Sequence, residues 1–280
     1  MIFVSQDFRA RHSALQDSVK ERNKNMAQRL WTRDEEIIVF NLYCKIPFKN
    51  SSKSHPEVIR IANLIGRSPS SVNMKIGNFG SFDENLKKQG IVGLTNASKL
   101  DKAIFEELSG DWDRLAYESE MLIAQLSGSE PEVIPELLAK PTPAGAEHIT
   151  AVKARVNQSF FRNAVLSSYA STCCITGIST PQLLIASHIK PWKSSSPSEK
   201  TDPRNGLCLN ALHDKAFDLG YITVRQDYTL VMSTKLKDIY DGESIERHFG
   251  IYDGKTIIMP EKFLPNPTYL EYHNDVIFQG

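Results

Sequence analysis

The period of the apolar residues changes once along this chain, near residue 170 of 280. Before that point, apolar residues recur three and four positions apart, which is the spacing of helices that bury one face. After it, short apolar runs such as LLIASHI, NGLCL, YITV and TLVMS are separated by turn residues, as is typical of strands. The sequence therefore predicts an α+β protein, with a helical first part and a second part that mixes strands and helices.

A proline-rich stretch marks the boundary between the two parts. SGSEPEVIPELLAKPTPAGAEH carries four prolines and two glycines, a composition typical of a linker. We therefore predict an N-terminal extension at 1–29, a helical domain at 30–125, a linker at 126–150 and a second domain at 151–280.

The composition is that of a soluble protein, with 41% apolar residues, 24% charged residues and a formal net charge of zero. No apolar run approaches the roughly 20 residues that cross a bilayer, and the first residues lack the apolar segment of a secretory signal. Four cysteines are too few for a disulfide framework and suit a reducing cytoplasm. They include no paired C-x-x-C motifs of a zinc site, so we expect buried thiols. The sequence thus predicts a cytoplasmic protein.

The charge is unevenly distributed, with +6 over residues 1–80 and −7 over residues 81–150. The basic block contains three predicted helices. The first begins after Thr32, has a capping-box partner in Glu35 and carries its apolar residues on one broad face. The third begins at Ser68 and Pro69, and Gly66 separates it from the second in a helix-turn-helix outline.

The start of the third helix is where such a motif enters the major groove of DNA. The candidate DNA-binding residues there are Arg67, Ser70, Ser71, Asn73 and Lys75. A three-helix unit that binds another protein is the alternative. The G-R-S-P-S-S-V segment and the leading Trp31 also resemble Myb-like modules.

Residues 173–220 carry the groups best suited to chemistry. His188 ends a predicted strand, and Asn205 opens the next one. Asn210 is a good N-cap for the helix ALHDKAFDL, on which Asp214 and Asp218 share one face. A neutral imidazole suits the activation of water near neutral pH, and carboxylates suit a hard divalent cation.

These motifs resemble the HNH endonuclease family, which has the ββα-metal fold. The matching segments are S-H-I-x-P-W at 187–192, N-G-L-C-L at 205–209 and H-D-x-x-F-D at 213–218. The first half of the chain is similar to proteins described as HNH restriction endonucleases. The resemblance implies that His188 is the general base and that Asn205 orients it.

The resemblance also implies a divalent metal, above all Mg²⁺, with Mn²⁺ or another divalent ion as alternatives. Its helix ligands fall on Asp214 and Asp218, and His213 replaces Asp214 if the helix phase differs by one residue. Many family members have Asp or His before the catalytic histidine, whereas this chain has Ser187. The loop residues Lys190, Lys193 and Arg204 are candidate phosphate contacts.

The sequence thus predicts a metal-dependent endonuclease that hydrolyses phosphodiester bonds in double-stranded DNA, with a restriction or defence role implied by the resemblance. A homodimer would let one site per chain cut both strands. The alternatives are a non-catalytic DNA-binding regulator with a decayed HNH fold, which Ser187 favours, and a protein-interaction module.

Overall fold

The computed structural model describes residues 29–91, 93–94, 97–131, 146–239 and 242–280. Residues 1–28 of the predicted extension and residues 132–145 of the predicted linker lie outside the described residues. The described part combines many helices with short antiparallel strand pairs, as the α+β prediction requires. None of its helices is both long enough and apolar enough to span a membrane.

Among the described residues of the first part, the helices are α1 (Arg33–Lys45), α2 (Pro56–Leu64), α3 (Pro69–Gly80), α4 (Glu84–Lys88), α5 (Lys99–Leu108) and α6 (Trp112–Ser127). The predicted capping box of α1 is confirmed, because the Thr32 hydroxyl accepts from the Glu35 amide while the Glu35 carboxylate accepts from the Thr32 amide. Ser68 caps α3, and Gly66 adopts a left-handed φ of +64° in the preceding turn. Whether α2 and α3 act as a helix-turn-helix stays a prediction.

Helix α1 is the centre of this part, since every residue from Glu35 to Cys44 is buried. We predicted one broad apolar face, but α3, α5, α6 and the long helix α7 (Ala146–Ser168) pack around α1. The carboxylates of Glu35 and Glu36 are therefore removed from water. Buried charges are stable only when they are paired, so this helix needs buried cations beside it.

Helix α7 belongs to two cores. Val156, Phe160 and Ala164 pack into the core around α1, whereas Phe161 and Val165 pack into the core of the second part. The helix begins at Ala146, five residues before the predicted domain boundary at 151. One helix thus contributes to the hydrophobic cores of both parts. The composition of the predicted linker did not indicate this shared helix.

The second part is built on a hairpin of β1 (Leu184–His188) and β2 (Gly206–Asn210), followed by α9 (Ala211–Asp218). A short helix, α8 (Pro197–Thr201), lies in the long loop of the hairpin. A second antiparallel pair, β3 (Ile222–Val224) and β4 (Leu230–Met232), follows with α10 (Thr234–Ile239), α11 (Gly242–His248) and α12 (Pro267–Tyr272). All four predicted strands and the Asn210 cap of α9 are confirmed. The cysteines Cys44, Cys173, Cys174 and Cys208 are buried free thiols, as predicted.

Residues 261–262, in the second part, form hydrogen bonds with the end of α1 in the first part and the residues just beyond it. Lys262 is fully buried and donates from Nζ to the carbonyl oxygens of Tyr43, Cys44 and Ile46 at the end of α1. The carboxylate of the preceding residue, Glu261, accepts from two backbone amides just beyond α1. These contacts join residues more than 200 positions apart in the chain.

Candidate active site

The candidate site lies where β1 ends. His188 is the last residue of β1 and pairs with Gly206, the first residue of β2. A Cβ atom at position 206 would lie 2.3 Å from Cγ2 of Val165, so glycine is needed for α7 to pack this closely on the hairpin. This close packing allows Phe161 of α7 to contact His188.

The imidazole of His188 is held by three contacts. It stacks on the Phe161 ring with centroids 3.8 Å apart, and the Trp192 ring meets it edge-on at 5.5 Å. Its Nε2 atom lies 3.0 Å from the carbonyl oxygen of Lys200. Because a carbonyl only accepts, Nε2 carries the hydrogen and Nδ1 keeps its lone pair. Burial lowers the pKa of His188, which favours the neutral ring that a general base requires.

Asn205 is fully buried and fixes the loop that follows β1. Its side-chain oxygen accepts from the Lys190 amide at 2.8 Å, and its side-chain nitrogen donates to the Glu199 carbonyl at 3.1 Å. Glu199 directly precedes Lys200, whose carbonyl accepts from His188. The Asn205 side chain is thus one peptide unit away from the group that holds the imidazole, an arrangement suited to its predicted orienting role.

Helix α8 presents the Lys200 carbonyl to His188. The Ser196 hydroxyl accepts from the Glu199 amide, and the Glu199 carboxylate accepts from the Ser196 amide at 2.7 Å, forming a capping box. The same carboxylate accepts two hydrogen bonds of 2.8 Å from Nζ of Lys190. The sequence predicts a loop here, and the structure places a short helix within it. The S-P-S-E pattern at 196–199 is the signal that indicates it.

Ser187 and Asp214 lie together on the opposite face of β1. Successive strand side chains point to opposite faces, so Ser187 points away from α7 and toward α9. Its buried Oγ makes no hydrogen bond of good geometry within the described residues. Burial raises the pKa of Asp214, the nearby Ser187 hydroxyl opposes this rise, and the charge of Asp218 adds to it. Asp218 is exposed at the surface, and partial desolvation of its carboxylate raises its pKa.

These oxygens fit a hard divalent cation that keeps much of its water. Two neighbouring carboxylates whose pKa values are raised, with a buried hydroxyl beside one of them, are the donor types that Mg²⁺ takes. Within the described ranges, no three His, Cys, Asp or Glu side chains meet in a group that could hold a metal. Ser187 is consistent with this smaller donor set, because it stands where many family members have an Asp or a His. Water and a substrate phosphate would have to complete the coordination.

His213 does not belong to this donor set. Its Nε2 lies 3.0 Å from the carbonyl oxygen of His248, and its Nδ1 lies 3.1 Å from Oδ1 of Asn210. The ring is buried and packs against Phe249, with centroids 5.0 Å apart. Nε2 carries the hydrogen toward the His248 carbonyl, and Nδ1 is covered by the Asn210 side chain that caps α9. Neither nitrogen is open to an ion, so the structure argues against the alternative in which His213 binds it. His213 is a packing residue of α9.

Two of the three loop cations already have carboxylate partners. Lys190 is paired with Glu199, and Arg204 is paired with Asp202 at 2.7 Å. Lys193 is exposed and has no carboxylate partner within the described residues. Among the three predicted phosphate contacts of this loop, Lys193 therefore has the least compensated charge.

Arg67, predicted to bind DNA, is instead an internal counter-ion of α1. Its guanidinium is 5% exposed and donates to the two carboxylate oxygens of Glu35 at 2.7 and 3.2 Å. It also donates to the carbonyl oxygens of Arg29 and Leu30, and it stacks on the Trp31 ring at 4.4 Å. The prediction for Arg67 is corrected, since a guanidinium held in this way has no face left for a phosphate.

The same correction applies to Lys75. Its side chain is buried and forms an ion pair with Asp101. Its Nζ also lies 2.6 Å from Oε1 of Glu36, whose pKa burial raises to about 8. The positive charges of the basic block therefore partly neutralise the core around α1. The other residues predicted on α3 are at least partly exposed, and their contact with DNA stays a prediction: Ser70, Ser71 and Asn73.

Residues 173–225 match the family model of HNH endonucleases. The match spans β1, β2, α9 and β3, and it includes His188, Asn205 and Asp214. This segment is therefore similar to HNH endonucleases, as the resemblance of its motifs predicted. A search of curated proteins found no match.

Proposed function

We propose that this protein is a metal-dependent endonuclease that hydrolyses phosphodiester bonds in DNA. The observation that carries the proposal is the state of His188 at the end of β1, in the segment that matches the HNH family model. Its Nε2 is committed to the Lys200 carbonyl, and burial favours the neutral ring. Its Nδ1 makes no hydrogen bond within the described residues. A general base needs this state, because the free lone pair on Nδ1 can accept a proton from water.

In the proposed reaction, Nδ1 of His188 accepts a proton from the attacking water. The Lys200 carbonyl fixes the tautomer and stabilises the imidazolium that forms. Asp214 would hold Mg²⁺ or Mn²⁺, with Ser187 and Asp218 contributing to the same donor set. Such an ion, when bound, supplies charge stabilisation to the phosphate and to the leaving oxygen.

The finer parts of the proposal rest on the motif resemblance described above. They are double-stranded DNA as the substrate, a role in restriction or defence, a cytoplasmic location and a homodimer that cuts both strands. The helical domain at 30–125 would dock on DNA through the exposed side of α3, and the domain at 151–280 would carry the chemistry.

Plasmid nicking by the full chain tests the proposal. We expect nicking with Mg²⁺ or Mn²⁺ and none with EDTA. His188→Ala should lower the rate by about 10²–10⁴-fold, the usual effect of losing a positioned base. His248→Ala is the matched control, because that side chain is exposed and outside the site. Since burial lowers the pKa of His188, the acid limb of the rate should have its midpoint below about 6.5.

Nicking by His188→Ala at the parent rate would remove this residue from the mechanism. A parent protein that nicks with none of the divalent ions, yet binds DNA with strong salt dependence, would support a DNA-binding regulator with a decayed HNH fold. Ser187 in the usual ligand position is the observation that favours this second candidate.

A protein-interaction role for the helical part is the third candidate. The burial of Arg67 and Lys75 favours it, as does the exposure of Met74 on α3, whose side chain is 59% exposed. A gel shift with the full chain at several salt concentrations distinguishes this role from DNA binding, since phosphate contacts weaken steeply with salt.

A further inference from the structure

An open groove runs along the face of β1 that packs against α7, with a volume of about 190 Å³. Gln158 and Arg162 line it from α7, and Ile185 and Ala186 line it from β1. His188 closes one end together with Trp192. The groove therefore leads directly to the candidate base, from the side opposite Ser187 and Asp214.

Arg162 is the cation of this groove. It is partly buried, and its Nη1 donates to the Leu184 carbonyl at 3.0 Å. Lys190 and Arg204 have carboxylate partners, but Arg162 has none within the described ranges. A guanidinium carries five N–H donors, and the carbonyl uses one of them. The charge is thus anchored, uncompensated and left with free donors, which is how a preorganised phosphate site is built.

A second polar group lies beside it. Gln158 is one turn before Arg162 on the same face of α7, and its amide has no hydrogen-bond partner within the described residues. Both residues precede the stretch that matches the HNH family model, which begins at residue 173. Both residues therefore lie outside the segment that the family model describes.

The position of Arg162 defines which phosphate it can reach. Its guanidinium is tethered at Leu184, the first residue of β1, whereas His188 is the last. Four residues of extended strand separate their Cα atoms by about 13 Å. The guanidinium of Arg162 is thus tethered at the end of β1 opposite His188, which places it for a phosphate that flanks the one attacked beside His188.

We propose that the groove between α7 and β1 holds the backbone of the cleaved DNA strand, and that Arg162 binds a phosphate flanking the scissile one. This inference rests on the proposed endonuclease function for the identity of its ligand. It adds to that function a binding residue outside the HNH motifs.

Salt-dependent binding of a short DNA duplex tests the proposal in full-length His188→Ala protein, which leaves the duplex uncut. Arg162→Gln removes the charge but keeps an N–H donor for the Leu184 carbonyl. It should weaken binding and lower the slope of log affinity against log salt by about 0.9, the value for one lost phosphate contact. Arg162→Lys should keep most of the slope. Arg247→Gln is the matched control, because Arg247 is exposed and paired with Glu243.

A second variant keeps the test independent of any structural role of Arg162. Ala186→Glu places a negative charge in the groove without removing the bond to Leu184, and it should also weaken binding. Parent-like affinity and slope in both Arg162→Gln and Ala186→Glu would overturn the inference. If the parent protein nicks plasmid but these slopes do not change, this inference alone fails. If the slopes fall while no metal supports nicking, the groove binds DNA and the endonuclease proposal fails.

Discussion

Ser187 changes how much each neighbouring oxygen must contribute to the ion. A hydroxyl is a weak ligand for a hard cation, so Asp214 must supply most of the affinity from the protein. Asp214→Ala should therefore raise the metal concentration needed for nicking far more than Ser187→Ala does. Ser187→Asp places a carboxylate beside Asp214 and should lower that concentration. Metal titrations of the nicking rate for the three variants measure this order.

His213 supplies the control for the metal series. Because its ring nitrogens contact Asn210 and the His248 carbonyl, His213→Ala should lower the unfolding midpoint and leave the metal dependence unchanged. A shift in metal dependence with His213→Ala, and none with Asp214→Ala, would instead support His213 as the metal ligand in place of Asp214. No shift in any variant would place the ion elsewhere.

Single residues were predictable where their role depends on nearby sequence. The positions of His188 at a strand end and of Asn210 at a helix start follow from motifs a few residues long, and the structure confirms both. Arg67 and Lys75 were not predictable in this way, because their partners Glu35 and Asp101 lie 32 and 26 positions away. A charge count over a segment cannot tell a surface cation from one that neutralises a buried helix.

At the scale of elements, helix α8 links the loop between β1 and β2 to the candidate base, because it carries the Lys200 carbonyl that binds His188. Glu199 closes its capping box and holds Lys190, so Glu199→Ala should loosen the Lys200 carbonyl that orients His188. We expect a fall in kcat of about tenfold, equivalent to about 1.4 kcal/mol, with KM nearly unchanged. Ser198→Ala, an exposed change in the same helix, is the control. Equal falls in both variants, or a change in KM alone, would argue against a positioning role.

The elements that the sequence predicted are those with a clear period or cap. The strands of both hairpins are short apolar runs between turn residues, and helix α9 has a cap residue. The structure contains all of these elements. Helices α4 and α8 span five residues each, too short for a helical period to show. The central position of α1 was also missed, because an amphipathic pattern does not reveal that polar residues on the remaining face will meet partners from α3 and α5.

At the scale of the whole molecule, proline content suggested two domains joined by a linker, and the described contacts join them more closely. Helix α7 contributes apolar residues to both cores. The Lys262 segment adds hydrogen bonds from the second part to the end of α1. Composition describes the chain locally and cannot reveal such distant contacts. The domain boundaries at 125 and 151 stay a prediction, although the packing argues against independent movement of the two parts.

We expect Lys262 to contribute more than any other single residue to the stability of the contact between the two parts. Lys262→Met keeps the length of the side chain but leaves the carbonyl oxygens of Tyr43 and Ile46 without this donor in a buried place. An unsatisfied buried acceptor costs about 1–3 kcal/mol, so we expect a loss of at least about 2 kcal/mol in unfolding free energy. Lys255→Met, at an exposed position, should change it little.

The pH dependence of this loss separates a buried amine from a surface one. Burial lowers the pKa of Lys262 to about 8, below the ordinary value of 10.5. Between these two values the unfolded chain binds more protons than the folded one, so the contribution of Lys262 to stability rises with pH across this window. The difference in unfolding free energy between parent and Lys262→Met should therefore be larger at pH 9.5 than at pH 7. Denaturant unfolding at the two pH values measures it, and an equal difference would mean that the amine is not buried against α1.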